Sequence, residues 1–238
     1  MNTTFINRGA TRLAVIDVPS VNTETCVVVL PGMGQSAEDF ASVIGDQLER
    51  RTIYVSFRGR GHSDAPESGY SFDDHVADLA AIVDGLGLDT IIVVAHSMSV
   101  PFAIAYALEN MKRVSGLVLH DYPAAYPKLP DKWVERILAQ DDFEMPEHVV
   151  RMLAAESDNV VLFGELTRLT CPVLVTGGTE EDAFMEPDLA AIYQRLLPNG
   201  NVHLIEGIGH DPLTPSAQPF VATVLPYLKE WSRDASAQ

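Results

Sequence analysis

Cysteine is scarce in this 238-residue chain: only Cys26 and Cys171 occur. Each sits beside an apolar, β-like run, and neither has a neighbour at zinc-ligand spacing. A disulfide-stapled scaffold and a structural zinc site are therefore excluded, and both residues are expected as buried free thiols in a reducing cytoplasm. Positive charge is also in short supply. Sixteen Lys and Arg face 33 Asp and Glu, a formal net charge of −17, which argues against a broad electrostatic footprint on nucleic acid or an anionic membrane surface. The acids form no long block. They come as short groups such as Glu38-Asp39, Asp73-Asp74, Asp141-Asp142 and Glu180-Glu181-Asp182, the pattern of a solvated surface. No run approaches the roughly 20 apolar residues of a membrane helix. The first residues lack the basic start and apolar stretch of a secretory signal, and there is no internal repeat. The expected partner is thus a small-molecule substrate met in the cytoplasm, with neither nucleic acid nor membrane; a homodimer stays open.

What is present suits a globular core, with 47% apolar and 21% charged residues. Short β-branched runs alternate with amphipathic stretches, which predicts an α/β fold: a mostly parallel eight-stranded sheet with helices on both faces. Residues 3–7 and 13–18 read as an opening hairpin. Residues 26–30, 53–57, 91–95, 117–120, 172–177 and 202–206 read as buried strands. Ser36 with Asp39, and Ser71 with Asp74, have the spacing of an acidic N-capping box. The helices they open carry the stripes Phe40, Val43, Ile44, Leu48 and Val76, Leu79, Val83, Leu86. Pro187 can open a helix with Leu189, Ile192, Tyr193 and Leu196 on one face, and Phe220, Val224, Leu228 and Trp231 give the last helix its buried side. Residues 234–238 are expected to fray. The alternation breaks between 121 and 170, where no convincing strand appears but helical stretches lie around 133–138 and 146–153. This predicts a small helical cap over residues 121–170, set on a core formed by 1–120 and 171–238.

The strongest local signal is Ala95-His96-Ser97-Met98-Ser99, between a strand and a helix. A serine on such a tight turn adopts a strained backbone, and small residues two before and two after it relieve the crowding. The turn lifts the hydroxyl clear and sets the Met98 N–H near a helix N-terminus, where a developing oxyanion can accept it. Here the chain resembles the α/β-hydrolase superfamily, whose usual elbow is Gly-x-Ser-x-Gly; Ala95 and Ser99 stand where glycine is usual. The resemblance extends further. Pro31-Gly32-Met33-Gly34 occupies the place of the superfamily's His-Gly-x segment and implies Met33 N–H as the second oxyanion donor. The segment from Ser56 to Asp64 is similar to its Asp-x-Arg-Gly-x-Gly-x-Ser turn, a structural brace. Gly209-His210 resembles its catalytic histidine turn. Ser97 as a mere helix cap, and residues 31–36 as a phosphate cradle, are the competing readings; the latter lacks a following Gly-Lys-Ser.

Histidine's ordinary pKa near 6.5 suits His210 to take and return the serine proton. Of the other histidines, His203 lies in a strand, His75 and His148 on helices, His62 in a loop, and His96 and His120 flank the site. The base needs a carboxylate to fix its tautomer. The resemblance allows two positions: the loop after strand 172–177, where Asp182 is preferred with Glu181 next to it, and Asp121 at the end of the preceding strand. A metal centre built from His96, His120 and His210 lacks the paired-histidine helix spacing of a zinc hydrolase, so no metal or cofactor is expected. Gly32, His96, Tyr122, Tyr126 and Trp133, with Phe143, are expected to line the substrate pocket, although each aromatic could equally serve the cap's own packing. The implied chemistry is ester or lactone hydrolysis through an acyl-enzyme. Carbon–carbon bond hydrolysis, cofactor-free oxygenation and slow-turnover ligand sensing on the same fold remain open. Dehalogenase and epoxide-hydrolase chemistry is disfavoured, because those relatives carry an aspartate nucleophile where this chain has Ser97.

Overall fold

The computed structural model describes residues 2–21, 25–140 and 144–234. Its centre is an eight-stranded sheet in the order β1(Thr3–Arg8), β2(Thr11–Val18), β4(Thr52–Val55), β3(Cys26–Leu30), β5(Ile91–His96), β6(Val114–His120), β9(Val173–Gly178), β10(Gly200–Ile205). The opening hairpin β1–β2 joins β4 antiparallel, and every pairing from β4 to β10 is parallel.

The nearly continuous apolar runs divide by the two-residue period of a strand. Val28, Leu30, Val93, Ala95, Leu117 and Leu119 point into one core, while Val27, Val29, Ile92, Val94 and Val118 point into the other. The first core is covered by α2(Phe72–Gly85), α3(Ser99–Glu109) and α6(Pro187–Leu196), through residues such as Leu79, Ile104 and Tyr193. The second is covered by α1(Ala37–Val43) and α7(Gln218–Asp234), through Phe40, Phe220, Val224 and Trp231. Burying each such side chain is worth about 1.5–3 kcal/mol. Both N-capping boxes form: Ser36 accepts from Asp39 N, Ser71 accepts from Asp74 N, and both acids bond back to the cap backbone.

Val43 departs from its expected stripe. It is the last residue of α1 and is 43% exposed, because its side chain faces a cavity instead of the core. Cys26 and Cys171 are buried and unpaired. Burial pushes their thiols up, to about 12 and about 11, so neither is a nucleophile near neutrality.

The segment between β6 and β9 holds α4(Asp131–Leu138), α5(Glu147–Glu156) and a 3₁₀ turn over Phe163–Arg168. It also contains a two-residue antiparallel pair, β7(Ala125–Tyr126) with β8(Val160–Val161), too short to leave a periodic signature. Lys128 ties its two arms together, donating to the carbonyl oxygens of Ala154, Ala155 and Ser157 at the end of α5. Among the described residues no helix is long and apolar enough to cross a membrane.

Candidate active site

The parallel strands end together on one side of the sheet, and the loops that leave them there carry Ser97, Asp121 and His210. Ser97 follows β5 with φ of +55°, a conformation that costs a non-glycine residue of order 1–3 kcal/mol and persists only where its surroundings fix it. Two bonds fix it here. Its N–H donates to the His120 carbonyl (3.0 Å), extending the β5–β6 ladder, and its carbonyl accepts from Val100 N (2.8 Å). Ser99, in the place where glycine is usual, donates its hydroxyl to the Pro31 carbonyl. The elbow is thereby fastened to the loop after β3.

His210 stands on the loop after β10. The Ser97 hydroxyl donates to His210 Nε2 over 2.8 Å, and His210 Nδ1–H donates to Asp121 Oδ2 over 2.8 Å. Asp121 is fully buried, with φ of +55°, and its own N–H donates to the Thr176 carbonyl at 2.7 Å. It thus sits directly after β6, tied to the neighbouring strand β9. A buried carboxylate is costly unless its oxygens are bonded. Phe184 N–H reaches Oδ2 (2.8 Å) and Met185 N–H reaches Oδ1 (2.9 Å). Gly177 makes room for that approach: a Cβ there would meet Met185 Cβ at 2.1 Å and Asp121 Oδ1 at 2.9 Å.

The carboxylate on the His210 ring is thus Asp121, the alternative of the two sequence positions, and not Asp182 or Glu181. Both of those are exposed. Asp182 reaches only the main-chain N–H of His210, at 3.4 Å. The loop after β9, where an acid was expected, instead supplies the two N–H groups that hold Asp121. What distinguishes Asp121 in the sequence is a lone acid at the end of an apolar strand run; that its oxygens find partners depends on contacts more than 60 residues away, which periodicity does not report.

A cavity of about 1230 Å³ opens over Ser97 and His210. Gly32, Met33, His96, Met98, Tyr122 and Trp133 all line it. Tyr126 does not. It is 1% exposed and packs its ring against Phe72 and Phe102, so it belongs to the core packing. Phe143 lies outside the described residues. Sequence reasoning missed Phe184, whose half-exposed ring stacks on His210 at 4.1 Å between centroids.

Behind the site two polar struts hold the loops. Gln35 Oε1 accepts from Gly32 N (3.0 Å) and lies 2.8 Å from His96 Nδ1, while its Nε2 donates to Asp211 Oδ1 at 3.4 Å. His96 Nε2 lies 2.9 Å from the His210 carbonyl. Gln35 therefore joins the Gly32 turn, the end of β5 and the loop of His210. Replacing Gln35 with leucine removes these bonds, and steady-state kinetics are expected to show kcat lowered about ten- to hundredfold, with KM changed far less. The second strut is Arg60, buried and held down to about 10 by that burial; its Nε donates to the Met33 carbonyl at 2.9 Å. The segment from 56 to 64 is the brace expected of it, with Arg58 forked onto buried Asp78 at 2.7 and 2.5 Å. His62 is an exposed loop residue paired with Glu38.

His96 and His120 lie beside His210, with ring centroids 5.6 Å apart from each other and His96 4.9 Å from His210. Among the described residues no group of three or more His, Cys, Asp or Glu side chains is disposed to hold a metal.

The profile of a family described as alpha/beta hydrolase fold matches residues 25–159, more than half of the chain. N-formylmaleamate deformylase of Pseudomonas putida is 32% identical over 105 residues, covering 42% of this chain and 38% of that protein. The chain thus spans well under half the length of that relative. A 2-hydroxy-6-oxononadienedioate/2-hydroxy-6-oxononatrienedioate hydrolase of Pseudomonas putida is 25% identical over 251 residues, covering 85% of this chain and 87% of that one. Among solved structures, an esterase from Exiguobacterium antarcticum superposes with a TM-score of 0.79 at 22% identity, over 95% of this chain and 99% of that chain, a likeness of fold.

Proposed function

Because this chain belongs to the alpha/beta hydrolase fold family, we propose that it is a serine hydrolase that cleaves a small carboxylic ester or lactone. One observation carries the reading: the unbroken hydrogen-bond sequence from Ser97 Oγ through His210 to Asp121, at 2.8 Å for each link. In the proposed reaction His210 Nε2 takes the hydroxyl proton as Ser97 Oγ attacks the carbonyl carbon. Asp121 holds the imidazole in the tautomer that leaves Nε2 free to accept, and it stabilises the imidazolium that forms. The N–H groups of Met33 and Met98 receive the oxyanion; in comparable sites one such donor is worth about 3–4 kcal/mol of barrier. The intermediate collapses as His210 returns the proton to the leaving oxygen, and a water activated in the same way releases the acid.

Amide and carbon–carbon bond cleavage form a second reading, supported by the names of the deformylase and the oxodienedioate hydrolase similar to this chain. Both readings require Ser97 as nucleophile. A fluorophosphonate probe is expected to label the parent protein at Ser97, as mapped by peptide mass spectrometry, and to leave Ser97→Ala unlabelled. A panel of p-nitrophenyl esters, lactones, anilides and vinylogous diketones then separates the bond classes. A folded parent protein that stays unlabelled would remove the serine-hydrolase reading.

A further inference from the structure

The cavity wall formed by α4 carries charge of the sign this chain has least of. Lys132 and Arg136 stand one helical turn apart on that wall, beside Trp133 and Ile137, the i, i+4 relation that puts side chains on one face. Sixteen Lys and Arg must serve 33 Asp and Glu, and among the described residues eight are taken up in ion pairs with acids. Lys132 and Arg136 have no such partner among the described residues, although acids outnumber bases about two to one.

The carboxylates that line the same cavity do not answer them. Asp39 accepts from Ser36 N and Oγ in the cap of α1 (2.7 and 2.8 Å). Asp211 accepts from Gln35 Nε2, Leu213 N and Thr214 Oγ1. Lys128, a third base lining the cavity, is spent on the carbonyls at the end of α5. Among the described residues that line the cavity, two cations and one acid, Glu144, are left without such a partner. In a protein of net charge −17, a pair of cations without an acidic partner offsets the general repulsion that an anion meets.

We propose that Lys132 and Arg136 form a subsite for an anionic group at the far end of the substrate, so that the preferred substrate is a carbonyl compound bearing a remote carboxylate. The inference rests on the serine-hydrolase reading and adds to it the class of substrate. The reacting carbonyl lies at Ser97, an apolar middle runs along Tyr122, Trp133 and Ile137, and the carboxylate meets the two cations. Arginine offers it a forked pair of donors and lysine a point charge.

The test compares two p-nitrophenyl esters with the same five-carbon acyl chain, the valerate and the hemiglutarate, whose chain ends in a carboxylate. Two partly exposed ion pairs imply a preference of about tenfold in kcat/KM for the hemiglutarate. It should shrink as ionic strength rises toward about 1 M, where charges are screened within about 3 Å. It should fall to near unity in Lys132→Ala/Arg136→Ala, and Lys132→Arg should keep most of it. Titration of each ester into Ser97→Ala reads the same preference as a ratio of Kd without turnover. Equal constants for the two esters in both measurements, or a preference that survives the double alanine variant, overturns the proposal. Fluorophosphonate labelling of the parent separates the two failures: a labelled protein without the preference loses only the subsite, whereas an unlabelled one loses the nucleophile.

Discussion

Asp121→Asn is expected to lower kcat by about 10⁴-fold, and Asp182→Asn by no more than about threefold. The contrast follows from which atoms each carboxylate meets. Phe184 and Met185 present N–H groups to residue 121. An asparagine there keeps its oxygen on one of them and turns its amide N–H₂ toward His210 Nδ1. The ring must then accept at Nδ1 and carry its proton on Nε2, facing the Ser97 hydroxyl as a donor. The base is disabled while the shape is preserved. Asp182 touches only the His210 main-chain N–H, at 3.4 Å, a contact that an asparagine oxygen can keep. Steady-state kinetics on a p-nitrophenyl ester, with circular dichroism to verify folding, check both variants. A large loss in Asp182→Asn with a mild one in Asp121→Asn would reverse the assignment.

The second large effect is on stability. His75, His96 and His120 are buried within or beside the site. Burial, reinforced by Arg60 for His75 and by His210 for His96, holds these two down to about 3; burial, reinforced by His96, also holds His120 well below its ordinary value. The folded protein keeps all three neutral, whereas the unfolded chain protonates them near pH 6.5. For His75 and His96 the unfolded state therefore binds more protons throughout the interval from about 6.5 to about 3, and stability falls as pH falls through it. Each of these two removes up to about 1.4 kcal/mol per pH unit, so together they remove roughly 3, and His120 acts in the same direction. Against a total of about 5–15 kcal/mol for a typical domain, cooperative unfolding is expected between about pH 4 and 5. Melting temperatures measured from pH 8 to pH 4 should be level above 7 and drop steeply below 6. A level Tm down to pH 5 would mean that these rings are already charged in the folded protein.

The fold was legible in the sequence because its signals are local. Alternation in runs such as 26–30 and 91–95 encodes two core faces at once, and Ser36 and Ser71 mark helix starts with their own side chains. The serine and the histidine were legible for the same reason: each sits on a short turn whose neighbouring residues are diagnostic. The acid was not. Asp121 and Asp182 both follow strands, and the choice between them depends on where the backbone of 184–185 comes to rest, a contact across 63 and 64 residues. Tyr126 was misplaced because an aromatic in a cap suits packing and ligand contact alike; only its position among Phe72 and Phe102 decides. Phe184 was passed over for the converse reason, since an exposed aromatic in an acidic loop carries no periodic signal.

The stretch from Thr179 to Glu186 does two jobs at once. With its main chain it seats the acid, and with the ring of Phe184 it roofs the base. A molecule that presses on that roof pushes on the same few peptide units that hold the carboxylate in register. In the proposed hydrolase, ligand choice and proton handling would therefore be mechanically geared together. Remodelling this loop to admit a bulkier guest would loosen the acid as well, whereas the α4 wall, which carries neither member of the pair, can be recut independently.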